Sequence, residues 1–381
     1  MERREFTKTF VGTALGAGLA ASAGIEAASM ETPAQQGVDP RKNTLMHVGA
    51  DYHYVAGGSG AEITGKTNLE FNLRLGVRHL TAQVRSGADG TWDADELKRM
   101  RDNCDAAGVV FEAVRMDSEY IMLAPGPARD RRLDAILGNI RKAAQVGVKV
   151  ITYHWTVIPI QRNGERPGRG GSTYVTFKLE PDWKDLPVGR AGRVTHNDYW
   201  ERITHFLERA VPVAKEHDVR LAAHPYDPPG LPFGYQGADN WDSPSIFEAY
   251  KRYEAIVESP YNGFQLCLGT TAEGLRNPSS DILPIVKYLA ERGKVHQVHM
   301  RNIRGGFLNT TDPNFNFAEV FPDEGDLDFV AIMRILRDTQ FSHAILPDHM
   351  PSHPDDPGKL QAYAFGYGYI HALIQAVNSE V

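Results

Sequence analysis

The sequence predicts an α/β protein, a closed (β/α)8 TIM barrel, and three observations carry that prediction. Short apolar runs alternate strictly with longer amphipathic segments, there are eight of each, and side chains able to bind a metal recur at the ends of consecutive runs. Strands read as short apolar runs bounded by turn residues, and helices as capped segments of 3.6-residue period. The strands are expected at Leu45–Asp51, Arg78–Val84, Val109–Met116, Val148–Trp155, Val219–Tyr226, Phe264–Thr270, Val295–Asn302 and His343–His349. The helices are expected at Thr67–Leu75, Asp93–Ala107, Ala128–Gln145, Asn197–His217, Ser245–Glu258, Ser280–Arg292, Leu327–Thr339 and Leu360–Val377. Asp93 opens its helix with Asp-Ala-Asp-Glu, and Gly108, Gly147 and Asp218 read as helix stops before the next strand. No GxGxxG or Walker-type loop opens a helix, which argues against a nucleotide-binding sheet. The stretch at about 157–196, with Arg162, Arg166, Arg169 and paired glycines, is an insertion after strand four. It falls on the face where such barrels keep their active sites, as a lid or as a tolerated insertion.

Composition narrows the function. The 381 residues are 42% hydrophobic and 23% charged, which excludes disordered, collagen-like and membrane classes, and the net charge of -7 excludes a globally basic nucleic-acid footprint. Two cysteines, Cys104 and Cys267, make at most one disulfide, so this is no disulfide scaffold. Fourteen histidines exceed what a purely structural protein needs.

The N-terminus reads as a leader over 1–28, followed by a polar linker over 29–42 and a single barrel domain over 43–381. Arg3-Arg4, then Phe6 and Lys8, precede a small-residue apolar run from Val11 to Ala23, with Ala21-Ser22-Ala23 as a cleavage site. That pattern suggests a twin-arginine-type signal and a bacterial, periplasmic destination; a general secretory signal and an uncleaved anchor are the alternatives.

A barrel collects its chemistry at the C-terminal ends of its strands. Strand five ends in His224-Pro-Tyr-Asp227, strand six in Leu266-Cys267, strand seven in His299-Met-Arg301-Asn302, and strand eight in Asp348-His349. A lone histidine in a strand is usually a hydrogen-bonded structural residue, but four adjacent strand ends converge on one point. His224, Cys267, His299 and Asp348 therefore form a mixed N, S and O set suited to a divalent transition ion. His296 lies at an odd offset from His299, on the other side of the strand, and Cys104 sits on a helix; both read as structural. Arg301 and Asn302 are candidates to hold a carboxylate or sugar hydroxyl, with a rim salt bridge as the alternative. His349 is placed to titrate near neutrality as an acid or base, or else to orient Asp348. Trp155 is either a wall against a sugar face or a barrel plug.

Taken in order, several segments resemble the successive motifs of mannonate dehydratases: His224-Pro-Tyr-Asp-Pro-Pro-Gly-Leu-Pro, Ser259-Pro-Tyr-Asn-Gly-Phe-Gln-Leu-Cys267, Val298-His-Met-Arg-Asn-Ile303, Phe317-Ala-Glu319, Gly325-Asp-Leu-Asp328 and Pro347-Asp-His349. Asp89-Gly-Thr-Trp92, Ala106-Ala-Gly108 and Gly171-Ser-Thr173 extend the similarity over most of the chain. The resemblance implies a xylose-isomerase-like barrel that dehydrates D-mannonate to 2-keto-3-deoxy-D-gluconate in hexuronate breakdown, with Mn2+ or, given the thiolate, Fe2+ or Zn2+. It implies metal ligation by His224, Cys267, His299 and Asp348, and proton transfer by His349 and a tyrosine for which Tyr363 is the nearest candidate. Arg301, Asn302, Trp155 and Asp227 are then substrate contacts. The implied partner is a small sugar acid, with a homodimer as one option. Two departures bear on the substrate: Tyr226 stands where the family usually has Asp, and Asp348-His-Met-Pro351 replaces Asp-His-Gly-Arg. A sugar isomerase or epimerase is the alternative activity, although those sites are richer in Glu and Asp. A silent sugar- or metal-binding barrel is the alternative without catalysis.

Overall fold

The structure is a computed structural model, and it describes residues 46–58, 60–309 and 312–380. The expected leader and linker lie outside the described residues. Strands and helices alternate through β1 (His47–Ala50), α1 (Lys66–Arg74), β2 (His79–Gln83), α2 (Ala94–Ala107) and β3 (Val110–Met116). A short α3 (Glu119–Met122) and the long α4 (Pro127–Gln145) lead to β4 (Val150–His154). Next come β5 (Gly164–Pro167), β6 (Thr173–Phe177), α5 (His196–Glu216), β7 (Arg220–His224), α6 (Ile246–Ile256) and β8 (Asn262–Cys267). The chain continues with α7 (Leu268–Glu273), α8 (Pro278–Glu291), β9 (Val295–His299), β10 (Asn302–Gly305) and β11 (Phe317–Val320). It ends with α9 (Phe329–Asp338), β12 (Ala344–Leu346) and α10 (Leu360–Asn378).

All eight expected strands form, and they close a parallel barrel in the order β1-β12-β9-β8-β7-β4-β3-β2. Local chemistry sets the ends of the helices. Thr195 and Asp198 cap α5 reciprocally, Asp93 caps α2, and Gly108 takes φ 71° to end α2 and feed β3.

Three expected ends move by three residues, and the eighth strand, expected through His349, stops at Leu346. The sixth strand was read through Thr270, but it stops at Cys267, whose sulfur caps α7. The seventh stops at His299, and Asn302 instead opens β10. That strand belongs to a second sheet, β10-β11-β6-β5, which is antiparallel. The insertion after β4 supplies two of its strands and the segment after β9 the other two, so the insertion is ordered by pairing with a distant piece of chain.

The side-chain period of two in each strand sorts residues between the barrel axis and the helical layer. On the axis, Gln265 donates to Gln297 (2.6 Å) and Gln297 to Thr81 (2.7 Å). One pleat further along these strands lie Cys267 and His299. Facing the helices, Tyr153 and Trp155 pack against Phe206 of α5, with ring centroids 5.4 and 4.0 Å away. At the N-terminal mouth His47 and His79 share one Glu112 oxygen at 2.9 and 2.7 Å, which are hydrogen-bond separations.

His296 is buried, with Nδ1 3.1 Å from the Leu221 carbonyl, and burial reinforced by His343 and Arg220 pushes its pKa down to about 3. The unfolded chain binds this proton near pH 6.5 while the folded chain refuses it, so the stabilisation is complete above pH 6.5 and is lost as pH falls towards 3. Urea unfolding between pH 7 and pH 4.5 is expected to show falling stability, with a shallower slope in His296→Asn.

Candidate metal centre

Five barrel strands deliver side chains to one point on the axis. His154 comes from β4, His224 from β7, Cys267 from β8, His299 from β9, and Asp348 follows β12. His224, Cys267 and His299 each place a ligand atom within 4.8 Å of the others, and so do Asp51, His299 and Asp348. The four ligands expected from sequence are therefore brought together and buried. Asp51, just past β1, joins them, and His53 backs it with Nδ1 2.8 Å from Asp51 Oδ2.

The separations distinguish this cluster from the one at the other mouth. Two bonds of about 2.1 Å at a tetrahedral angle hold their ligand atoms about 3.4 Å apart. Here His299 Nδ1 lies 3.3 Å from Asp348 and the Cys267 sulfur 3.5 Å from the same carboxylate, while Asp51 lies 3.6 Å from the other ring nitrogen of His299, Nε2. Neither ring nitrogen of His299 makes a hydrogen bond, although both are buried. A buried imidazole with two unsatisfied nitrogens among a thiol and two carboxylates fits a divalent cation.

Electrostatics agree. Burial opposes a charge on His299, yet Asp348, Cys267 and Asp51 raise its pKa to about 9; the anionic field that draws a proton there also attracts a cation, which must displace that proton. Burial and then His299 hold His224 well below the usual histidine range, so it is neutral; its Nδ1 lies 2.7 Å from the Pro225 carbonyl, which keeps the proton there and frees Nε2 for ligation. The backbone N–H and hydroxyl of Thr270 donate to the Cys267 sulfur at 3.4 and 3.3 Å and fix its direction.

A shell of charge supports the ligands. Arg301, 1% exposed, pairs with Asp227 and Glu273 at 3.0 Å and with Glu319, and its Nε lies 3.5 Å from Asp348. Arg162, from the inserted segment, reaches Asp227 at 2.9 Å and Glu319 at 2.8 Å. Beside this shell is a cavity of about 290 Å3, lined by His53, Arg162, Glu319, His349, Lys359 and Tyr363 among others. His349 faces it with Nδ1 3.1 Å from Glu319; burial works against its charge, but Glu319 and Asp348 raise its pKa above the ordinary value. The Tyr363 hydroxyl donates to the Asp348 carbonyl at 2.9 Å, holding a residue whose φ is 61°.

The geometry shows what the four expected substrate contacts touch within the chain. Trp155 is one residue past inward-facing His154, so it points away from the axis into the helical layer. Asn302 is a loop clip: its amide donates to Pro322 O and its oxygen accepts from the N–H groups of Ile303 and Leu327. Arg301 and Asp227 pair beneath the cavity, as the salt-bridge alternative has it, and the Nε of Arg301 is left without a hydrogen-bond partner. Sequence reasoning missed Asp51, His53, His154, Arg162 and Glu319. Asp51 and His154 were within reach, because the strand-end argument applied to strands five to eight holds equally for strands one and four.

A family model described as D-mannonate dehydratase (UxuA) matches residues 188–380, just over half of the 381. The chain belongs to the D-mannonate dehydratase family. The matched stretch holds His224, Cys267, His299, Asp348, His349 and Tyr363. Members of this family are metal-dependent hydro-lyases, and the cluster described above is a metal-competent one. Mannonate dehydratase of Thermotoga neapolitana is 27% identical over 333 residues, covering 75% of this chain and 87% of that protein. The Thermotoga maritima protein of the same name is 27% identical over 331 residues, with the same coverage. Among solved structures, mannonate dehydratase from Streptococcus suis serotype 2 superposes with a TM-score of 0.69 at 21% identity, covering 87% of this chain and 93% of that one. A xylose isomerase domain protein from Planctomyces limnophilus gives 0.54 at 14% identity, covering 88% and 99%. These likenesses bear out the xylose-isomerase-like (β/α)8 fold.

Glu319→Gln removes the nearest carboxylate from His349, so the imidazole pKa is expected to fall. Histidine Cε1 resonances followed through a pH titration measure it.

Proposed function

We propose that this protein dehydrates D-mannonate to 2-keto-3-deoxy-D-gluconate with a divalent ion, Mn2+ foremost, held by His224, Cys267, His299 and Asp348. The observation that carries the reading is the placement of a protonatable His349 on a polar cavity directly beside that ligand set, in a chain of this family. Asp51 completes the set or balances its charge. Fe2+ and Zn2+ are the competing ions on grounds of thiolate softness.

The proton α to a carboxylate is weakly acidic, and its removal leaves charge on the carboxylate oxygens. When bound, the ion supplies Lewis-acid stabilisation of that charge. Glu319 accepts the Nδ1 proton of His349 and leaves Nε2 of the neutral ring free to take the α-proton; the imidazolium so formed returns a proton from Nε2 to the departing β-hydroxyl, which leaves as water. The enol so formed tautomerises to the keto acid. Tyr363 and Arg301 are positioning residues: the first pins the Asp348 carbonyl, and the second fixes the carboxylates of Asp348 and Glu319. Arg162 and the inserted sheet restrict water at the cavity.

The same proposal includes export. The Arg3-Arg4 leader fits a twin-arginine-type signal, a route that carries folded proteins and so allows the metal to be loaded before translocation. Among the described residues no helix is long and apolar enough to cross a membrane.

Purified protein is expected to hold one equivalent of divalent metal and to form 2-keto-3-deoxy acid from D-mannonate. Cys267→Ser and His299→Ala are expected to lose both metal and turnover. His349→Asn is expected to keep the metal while kcat falls by roughly 100- to 10,000-fold. Metal with no product from D-mannonate in the wild type contradicts the substrate, and retention of metal by both ligand variants contradicts the site.

A further inference from the structure

We infer that Arg115 is the anchor for the substrate carboxylate, in a second cavity on the β3–β4 side of the metal centre. The inference rests on the sugar-acid reading above and adds the residue that recognises the acid. Arg301 is taken by Asp227, Glu273 and Glu319, and Arg162 by Asp227 and Glu319. His349 is held by Glu319, and the Lys359 ammonium donates to the Met350 carbonyl at 2.7 Å. None of these has a full charge to offer an incoming anion.

Arg115 differs. Next to last in β3, it holds its guanidinium 4.8 Å over the Tyr52 ring, and among the described residues that guanidinium makes no ion pair and no hydrogen bond; its Nε is buried and unsatisfied. Tyr52 lies between Asp51 and His53 of the metal centre. On the next strand His154, 6% exposed, has both ring nitrogens buried without a hydrogen-bond partner, and it stacks on His224 with centroids 3.5 Å apart. A half-buried arginine whose Nε is buried without a partner and a buried imidazole with two unpaired nitrogens line the same cavity, where a folded chain normally satisfies such groups.

Both residues line one cavity of about 400 Å3. Met122, Ile158, Pro159 and Val188 form much of its remaining wall and bring no carboxylate to compete for the guanidinium, and Arg190, also on the lining, is held by Glu119 at 2.6 Å. A carboxylate fits the planar fork through two parallel hydrogen bonds, and apolar walls strengthen them by excluding water. His154 then bonds an oxygen of the same ligand. Because His154 lies against His224, a sugar acid anchored here extends its α-carbon towards the metal ligands, and its leaving hydroxyl towards the cavity of His349.

The test is calorimetric binding of D-mannonate and of the uncharged polyol D-mannitol to the metal-loaded protein, with turnover measured in parallel. Wild type is expected to prefer the acid. Arg115→Met is expected to weaken D-mannonate binding at least about tenfold, to leave D-mannitol binding and metal stoichiometry unchanged, and so to erase the preference. Arg115→Lys keeps the charge without the fork and is expected to recover part of the affinity; it carries the test if Arg115→Met loses its thermal transition. Unchanged acid preference in Arg115→Met, or in Arg115→Lys where that variant stands alone, overturns the anchor. Wild type that prefers no five- or six-carbon aldonate over its polyol also overturns it. If some aldonate binds through Arg115 and none is dehydrated, the anchor stands and the dehydratase reading falls. If D-mannonate is dehydrated equally well without Arg115, the dehydratase reading stands and the anchor falls.

Discussion

The site is built around one buried guanidinium. Arg301 leaves the end of β9 and ties together Asp227 beyond β7, Glu273 at the end of α7 and Glu319 on β11, while lying 3.5 Å from Asp348 beyond β12. Without a cation these carboxylates would repel one another in a poorly solvated space; with it, they are fixed relative to the metal ligands. Removing one partner of such a buried network typically costs about 3–5 kcal/mol, because the others keep uncompensated charge. Burial and Asp227 push the Glu273 pKa well above its ordinary value, against the pull of Arg301 and Arg162. Glu319 instead stays ionised, held well below the usual range despite its burial by His349, Arg162 and Arg301. The same carboxylate thereby joins the structural network to the proton-bearing histidine.

Barrel geometry does the rest of the positioning. Each strand presents alternate residues to the axis, and the residue at its C-terminal end is the one that meets the ends of its neighbours. Cys267 follows Gln265 by two residues and His299 follows Gln297 by two, so the polar ladder of the barrel interior continues upward into the ligand set. The second sheet closes over one side of this rim and brings Arg162 and Glu319, 157 positions apart in sequence, to a hydrogen bond of 2.8 Å.

This explains what the sequence made legible. The eight strands and the main helices follow from local patterns, and one rule about strand ends is what put His224, Cys267, His299 and Asp348 forward as ligands. Trp155 was misread although the rule of two was available: His154 faces the axis, so its neighbour faces the helices. Asn302 and Arg301 looked like free polar groups because their partners, Pro322, Leu327, Asp227, Glu273 and Glu319, are distant in sequence. Pairing between the insertion and the segment after β9 has no local signature for the same reason. The unpaired state of Arg115 and His154 is likewise a property of the assembled rim, invisible until the partners of the neighbouring cations are known.

The central claim is that a cysteine sulfur, two imidazoles and a carboxylate from four consecutive barrel strand ends bind one metal ion. X-ray absorption at the metal edge of the loaded protein tests it most directly. The account predicts one sulfur scatterer at about 2.3–2.5 Å together with nitrogen and oxygen neighbours near 2.1 Å, with the sulfur shell lost in Cys267→Ser protein reloaded at high metal concentration. A first shell of nitrogen and oxygen alone in the wild-type protein would contradict it.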